Sequence, residues 1–460
     1  MNFAGLRSFF LSNLPLYIFL SLITSFTISA CVGTADSSVT QETGAKAGAG
    51  GSGGSWTTVQ LGASGAQTNL EDIAIDSEDS VYAVGFTNGD IDGQTRTGLI
   101  DMYITKYDNL GAKIFTRMLG AMWGLTRKTA HAHGVAIDSN NNAFVVGYTS
   151  GSFDGNNWLG TWSMFLVKFD SNGNKIFSAT FGASALTYPT AITIDASDNI
   201  YVTGYETGSF GGAPIGNQDM FLAKFDTDGN LGFVKKFGEL SDRVTSTSIA
   251  SDASGNVYVA GYTTANLNGE TLNGLGDIFV VKFDATGNVL FTRLFGASGA
   301  LFTNAEMTVD ASGNIYITGY TNKTIDGVTP TGLLDTYLVK YDSTGTKVFT
   351  KMYGVAGAYV QGMAVNTDSV GNVYLTGSTD TGLDGNSLTG LTDSFLIKYN
   401  SSGVREFASQ LGVSGGRPFG RAIAIDSGDI IFTAGNTDRP LHANPMIGTQ
   451  DFFISKFDGL

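Results

Sequence analysis

The chain repeats itself, and that repeat constrains its fold more than any other feature. An aromatic residue two positions before an apolar–glycine pair, as in Val257-Tyr-Val-Ala-Gly261, recurs at Tyr82, Phe144, Tyr201, Tyr258, Tyr316, Tyr374 and Phe432. The successive intervals are 62, 57, 57, 58, 58 and 58 residues. A second signature, as in Asp277-Ile-Phe-Val-Val-Lys282-Phe-Asp284, keeps step with it through Lys106, Lys168, Lys224, Lys282, Lys340, Lys398 and Lys456. A self-similar period of this length marks a solenoid, a propeller or an array, because each unit leaves an apolar face that only its neighbours cover.

Each repeat holds four short runs of β-forming residues, which in the fourth are Ser248–Ser251, Val257–Thr263, Ile278–Asp284 and Val289–Phe295. Asp252-Ala-Ser-Gly-Asn256 and Asp284-Ala-Thr-Gly287 are tight-turn sequences, in which the leading Asp accepts from the turn's own backbone and Gly supplies a positive φ. Thr264–Gly276 is a longer loop. Runs apolar on both faces suit strands buried between sheets. The seventh repeat stops at Lys456-Phe-Asp-Gly-Leu460, short of a fourth strand. Trp56-Thr-Thr-Val-Gln-Leu61-Gly62 matches the fourth strands elsewhere, such as Phe349-Thr-Lys-Met-Tyr353-Gly354. The expectation is an all-β, closed seven-bladed β-propeller over residues 56–460, with four-stranded blades and the N-terminal strand completing the last. These repeats resemble the bacterial beta-propeller repeat family known as SBBP, through its Gly-Asn-x-Tyr-x-x-Gly and Asp-x-Phe-x-x-Lys-aromatic signatures. The resemblance implies the fold and an exported, surface-associated life, and it implies no catalytic activity or ligand.

Residues 1–30 read as a secretory signal, with Arg7 the single charge and an apolar stretch from Leu14 to Ile28. The stretch ends in Ile28-Ser-Ala-Cys31, which resembles a bacterial lipobox, in which cleavage before the Cys leaves its thiol to carry a diacylglyceryl group. Residues 31–55 are rich in Gly, Ala, Ser and Thr and read as a flexible tether. The expected address is the cell envelope, at the outer membrane or cell surface. Cys31 is the only cysteine, which rules out an internal disulfide framework. With 26 Lys and Arg against 41 Asp and Glu, the net charge of −15 lacks the basic footprint that nucleic acid needs.

The loops between second and third strands, and the links from one repeat to the next, fall on one face, where loops are usually put to use. One link stands out. From Gly120 to Asp138 it runs 18 residues where the equivalents Gly62–Asp76, Gly238–Asp252 and Gly296–Asp310 run 14. It carries Trp123, Arg127, Lys128, His131 and His133, and the same repeat has Trp158 and Trp162 in its long loop, with Ser163 where the other six have Asp. Aromatic residues beside cations make this the candidate binding patch, set against the simpler reading that the insertion packs over a blade edge. His131-x-His133 lacks the third ligand that a stable metal site needs. Asp226-Thr-Asp-Gly-Asn230 looks like a calcium loop, but its equivalents lack the second carboxylate, so it reads as a turn. The Asp at 101, 219, 277, 335, 393 and 451 reads as a cap on the third strand, with the Lys five residues on packing its stem between blades and pairing its head locally.

No nucleophile elbow, phosphate loop or catalytic cysteine is present, and His442 stands alone in the seventh repeat, so the chain reads as a non-enzyme with no cofactor and no metal. The expected function is a lipid-anchored, monomeric surface protein that binds an extracellular protein or glycan, as in adhesion. The alternatives are an envelope hydrolase or lyase acting on carbohydrate or peptide through Asp and Glu, and a non-catalytic scaffold.

Overall fold

The structure, a computed structural model, describes residues 42–43, 55–240, 242–300, 302, 305–442 and 444–458. The signal sequence and Cys31 lie outside these. The described residues form no helix long and apolar enough to cross a membrane.

The described chain is all β. Six consecutive segments each fold into a four-stranded antiparallel meander, beginning with Thr68–Ile75, Ala130–Ile137, Thr187–Ile194, Val244–Ser251, Glu306–Val309 and Val360–Thr367. The seventh sheet takes three strands from the C-terminal segment, Phe419–Ile425, Ile431–Thr437 and Asp451–Asp458, and its fourth from the N-terminal strand Ser55–Leu61. In that pairing Trp56 faces Phe457 and Leu61 faces Phe452. First strands of successive sheets pack against one another in order, and Thr68–Ile75 packs against Phe419–Ile425 of the last. Most of the predicted tether, residues 31–55, lies outside the described residues. Its end is already strand at Ser55, and Glu42–Thr43 pairs with Thr57–Thr58 at the sheet edge.

The two sequence signatures recur together because they are one cross-strand pair. Tyr82 faces Lys106 and Tyr258 faces Lys282 in the register of second and third strands. Each ring is fully buried, with the ammonium 4.9 Å from the centroid of Tyr82 and 4.8 Å from that of Tyr258, a geometry in which the ring quadrupole attracts the cation. The lysine head does more than pair locally. Lys106 meets Asp76 of its own sheet at 2.8 Å and also donates to the Ser171 carbonyl of the next sheet. Lys168, Lys224, Lys282 and Lys340 reach forward in the same way, to Thr227, Ala285, Ser343 and Ser401. Lys456 of the last sheet donates to Asn109 of the first.

The recurring Asp at the start of the third strand is a cap, as its spacing predicts. Asp277 is fully buried and accepts the backbone N–H groups of Asn273 and Gly274 at 2.7 and 2.9 Å, fastening the long loop to the strand. Asp101, Asp219, Asp335, Asp393 and Asp451 do the same. Ser163 manages one such bond, from Leu159. At the other strand end each turn is held by its own leading Asp, or in one turn of the sixth sheet by Asn400. The calcium-like Asp226 accepts from the backbone of Asp228 and Asn230 and from the Asn230 side chain, so its oxygens are committed to the turn.

First strands are longer than their pattern predicts. In the fourth repeat the strand begins at Val244 rather than Ser248, because a bulge at Thr247 breaks the alternation that a strand is read by.

Candidate functional site

The bulge recurs and builds the site. It inserts one residue into six first strands, always fourteen positions before the glycine of the first signature: Glu71, His133, Thr190, Thr247, Met363 and Arg421. The glycine is required there. A Cβ on Gly147 would stand 1.9 Å from the His131 carbonyl oxygen. A bulge takes its residue out of the strand's alternation and re-aims it, and three of these residues converge. The Arg421 guanidinium pairs with the Glu71 carboxylate, and His133 Nδ1 lies 3.7 Å from the same carboxylate.

Around this group the aromatic residues of the first three sheets stack in a continuous run. His131 lies 4.1 Å from Phe86 and 4.8 Å from Tyr148, centroid to centroid. Tyr148 stacks on Trp162 and on Tyr188, each at 4.8 Å, and Tyr188 continues to Tyr205 at 5.0 Å. His133 joins through Tyr188 at 4.9 Å. Burial, with His133 alongside, holds the His131 imidazole down at about 3, so it is neutral at pH 7.

The predicted patch therefore divides. His131, His133 and Trp162 belong to the aromatic run. Trp123, Arg127 and Lys128 sit on the insertion, which forms a hairpin from Ala121–Trp123 and Thr126–Lys128 with Ser152–Phe153 as a third strand. Ala121 and Phe153 are fully buried and anchor it. Its tip is outside, with Trp123 59 % and Leu125 98 % exposed. Trp158 lies 5.2 Å from Trp123, and the Lys128 ammonium lies over the Trp123 ring. The base of the insertion packs and its tip projects. His442 is elsewhere, its Nδ1 bonded to the Thr58 hydroxyl. Among the described residues no group of three metal-ligating side chains forms.

Sequence reasoning missed three carboxylates of the first strands, Glu71, Asp72 and Glu306. Against a burial that raises it, Arg421 and His133 hold the Glu71 carboxyl down at about 2. Asp72 beside it is pushed up to about 7 by burial, although it accepts the N–H groups of Val135 and Ile73, and the Glu71 charge adds to the rise. Burial raises Glu306 to about 8 against the pull of Arg421. The available signal was the non-repeating charge at an otherwise regular offset: Glu71 and Arg421 stand where the other repeats have His133, Thr190, Thr247, Ala305 and Met363.

The beta-propeller repeat family (SBBP) matches residues 56–92, 114–154, 177–211, 233–268 and 290–325. The chain belongs to the SBBP beta-propeller repeat family. Among curated relatives, this SBBP protein is 25 % identical over 378 residues to the regulatory protein FlaEY of Caulobacter vibrioides, an alignment covering 74 % of this chain and 39 % of that one. It is 28 % identical over 159 residues to an uncharacterized WD repeat-containing protein of Acanthamoeba polyphaga mimivirus, covering 31 % of this chain and 11 % of that one. The chain thus spans well under half the length of both. Similar solved structures include a catalytically inactive virginiamycin B lyase from Staphylococcus aureus, at 9 % identity and a TM-score of 0.47, covering 88 % of this chain and 100 % of that one. The polysaccharide lyase Uly1 is similar at 11 % identity and a TM-score of 0.48, covering 84 % and 89 %. Likenesses of this degree carry no argument about chemistry.

Proposed function

We propose that the seven sheets are the blades of a closed propeller, carried at the bacterial envelope on a lipidated Cys31, and that its loop face binds an extracellular protein or glycan. The observation that carries the binding reading is the hairpin over 121–128. It is present in one repeat, is anchored by buried Ala121 and Phe153, and holds Trp123 and Leu125 out in solvent beside Trp158 and Lys128. Exposed apolar side chains cost solubility, and a rigid aromatic anchor beside a cation is the composition of a recognition hot spot.

The test is a binding screen of the full chain against matrix proteins and glycans, beside a variant in which the Ala121–His133 link is replaced by the shorter link of the fourth repeat. Binding that the variant loses supports the reading. Binding that both share keeps the function and moves the site off the hairpin.

A second reading has its own support. Glu71 ionised beside Asp72 and Glu306 held protonated is the division of labour between base and acid that carbohydrate-cleaving sites use. Polysaccharide turnover abolished by Glu306→Gln, with binding retained, would favour an envelope lyase or hydrolase over a binding protein.

A further inference from the structure

The junction between the last and first sheets departs from the others. In the first six sheets the fourth strand places a phenylalanine opposite the signature lysine: Phe115, Phe177, Phe233, Phe291, Phe349 and Phe407. From the first sheet to the fifth, this ring lies on the turn glycine of the next sheet. A Cβ on Gly173 would come within 2.7 Å of the Phe115 ring, on Gly229 within 2.6 Å of Phe177 and on Gly403 within 2.8 Å of Phe349. The residue two positions on often caps the ring. Arg117 lies over Phe115 and Arg293 over Phe291, each donating through Nε to the same turn at 2.8 Å.

In the seventh sheet the register puts Thr57 opposite Lys456, and Val59 follows where the cap would be. The phenyl ring is missing, and its place is a half-open cavity of about 200 Å³ whose wall holds Thr57, Val59, Tyr107, Gly111 and Ile454 together with the polar Asp108, Asn109 and Lys456. An apolar cavity of about 150 Å³ is large enough to take up benzene. A second, separate departure sits at the mouth. The turn that rims the cavity carries Leu110, 68 % exposed, where the other turns carry Asn172, Asp228, Thr286, Thr344 and Ser402. An exposed leucine at a polar turn position, over a space shaped for a ring, extends the apolar wall outwards.

We propose that this seam binds a small aromatic molecule, whose ring takes the position that phenylalanine fills at the other junctions. The site lies between sheets, away from the hairpin and the aromatic run, and does not depend on the function proposed above. The probe is toluene, added to the full chain and followed by the thermal unfolding midpoint and by titration calorimetry. The expected result is saturable binding with a rise in Tm. Thr57→Phe should raise Tm without toluene and lose the toluene response. If Thr57→Phe fails to fold, Thr57→Leu makes the same test by partial filling, with weaker binding expected. No binding to the natural chain, or a response equal in natural chain and filled variant, overturns the proposal.

Discussion

The two ends of the strands obey different rules. At the turn end, one device is copied in every repeat: a leading Asp takes the turn's N–H groups, and a residue with positive φ completes the reversal. Where that residue is not glycine it is Asp79, Asn141, Asp198 or Asp429, and each accepts from a serine of the preceding sheet, Ser427, Ser77, Ser139 and Ser369 respectively. The strain of a left-handed Asp or Asn is thus met by a bond that staples neighbouring sheets. At the loop end, the Asp cap is copied but everything beyond it varies: the hairpin over 121–128, the aromatic run of the first three sheets, and the charges at the bulges. Repetition holds the scaffold, and most departures from repetition gather at the loop end.

The comparison is broken most severely by removing the one strand shared between the two chain ends. Deleting Trp56–Leu61 exposes the edge of the seventh sheet and removes buried Val59 and Leu61. The expected loss is about 5 kcal/mol or more, summed over two buried aliphatic side chains and a lost ladder. A melting curve unchanged by the deletion would refute closure of the ring.

The next effect distinguishes the two kinds of Asp. Asp277→Ala empties a fully buried position and leaves the loop N–H groups of Asn273 and Gly274 without an acceptor, and should cost about 3 kcal/mol. Asp195→Ala at the turn end, which frees the N–H groups of Ser197 and Asn199 near water, should cost about 1 kcal/mol. Ser163→Ala, which loses a single bond from Leu159, should cost least of the three caps. Urea melts that ranked the turn Asp above the strand cap would reverse this ordering.

The scaffold was legible because its devices repeat. Seven copies of the aromatic–Lys pair and six of the Asp cap make a signal from residues that are individually commonplace. The match of Trp56–Leu61 to a fourth strand was readable for the same reason, and so was the hairpin, as an interruption of a regular spacing. Tyr148 and Tyr188 were hidden because an aromatic residue in a strand is ordinary, and only the stacking across sheets makes them a site. Glu71 and Arg421, with Asp72 beside them, were hidden by the bulge, which shifts the face a residue occupies without leaving a mark in composition, and Glu306 is one unrepeated carboxylate in a regular strand. The missing ring at Thr57 was equally silent, since it shows only when the seventh sheet is laid in register with the rest.

The smallest effect concerns the charges that repetition does not explain, and it has a sign that depends on pH. Glu306 titrates near 8 in the fold and near 4.5 when unfolded, so the native state holds a proton that the unfolded state gives up. Below about pH 4 both states are protonated and the group contributes nothing to stability. Between about pH 4.5 and 8 its contribution turns progressively unfavourable, and above 8 it is constant. Glu306→Gln keeps the shape and removes the titration. The variant should therefore melt with the natural chain at pH 4 and several degrees above it at pH 8. Glu71 runs the other way. Its folded value near 2 gives stability that is present above about 4.5 and lost as pH falls towards 2. Glu71→Gln should accordingly lower the melting temperature at pH 7, by an amount that shrinks in acid. If both substitutions shifted Tm equally at pH 4 and pH 8, the carboxylates would be spectators to the field of Arg421, and the loop end would owe its character to the aromatic run alone.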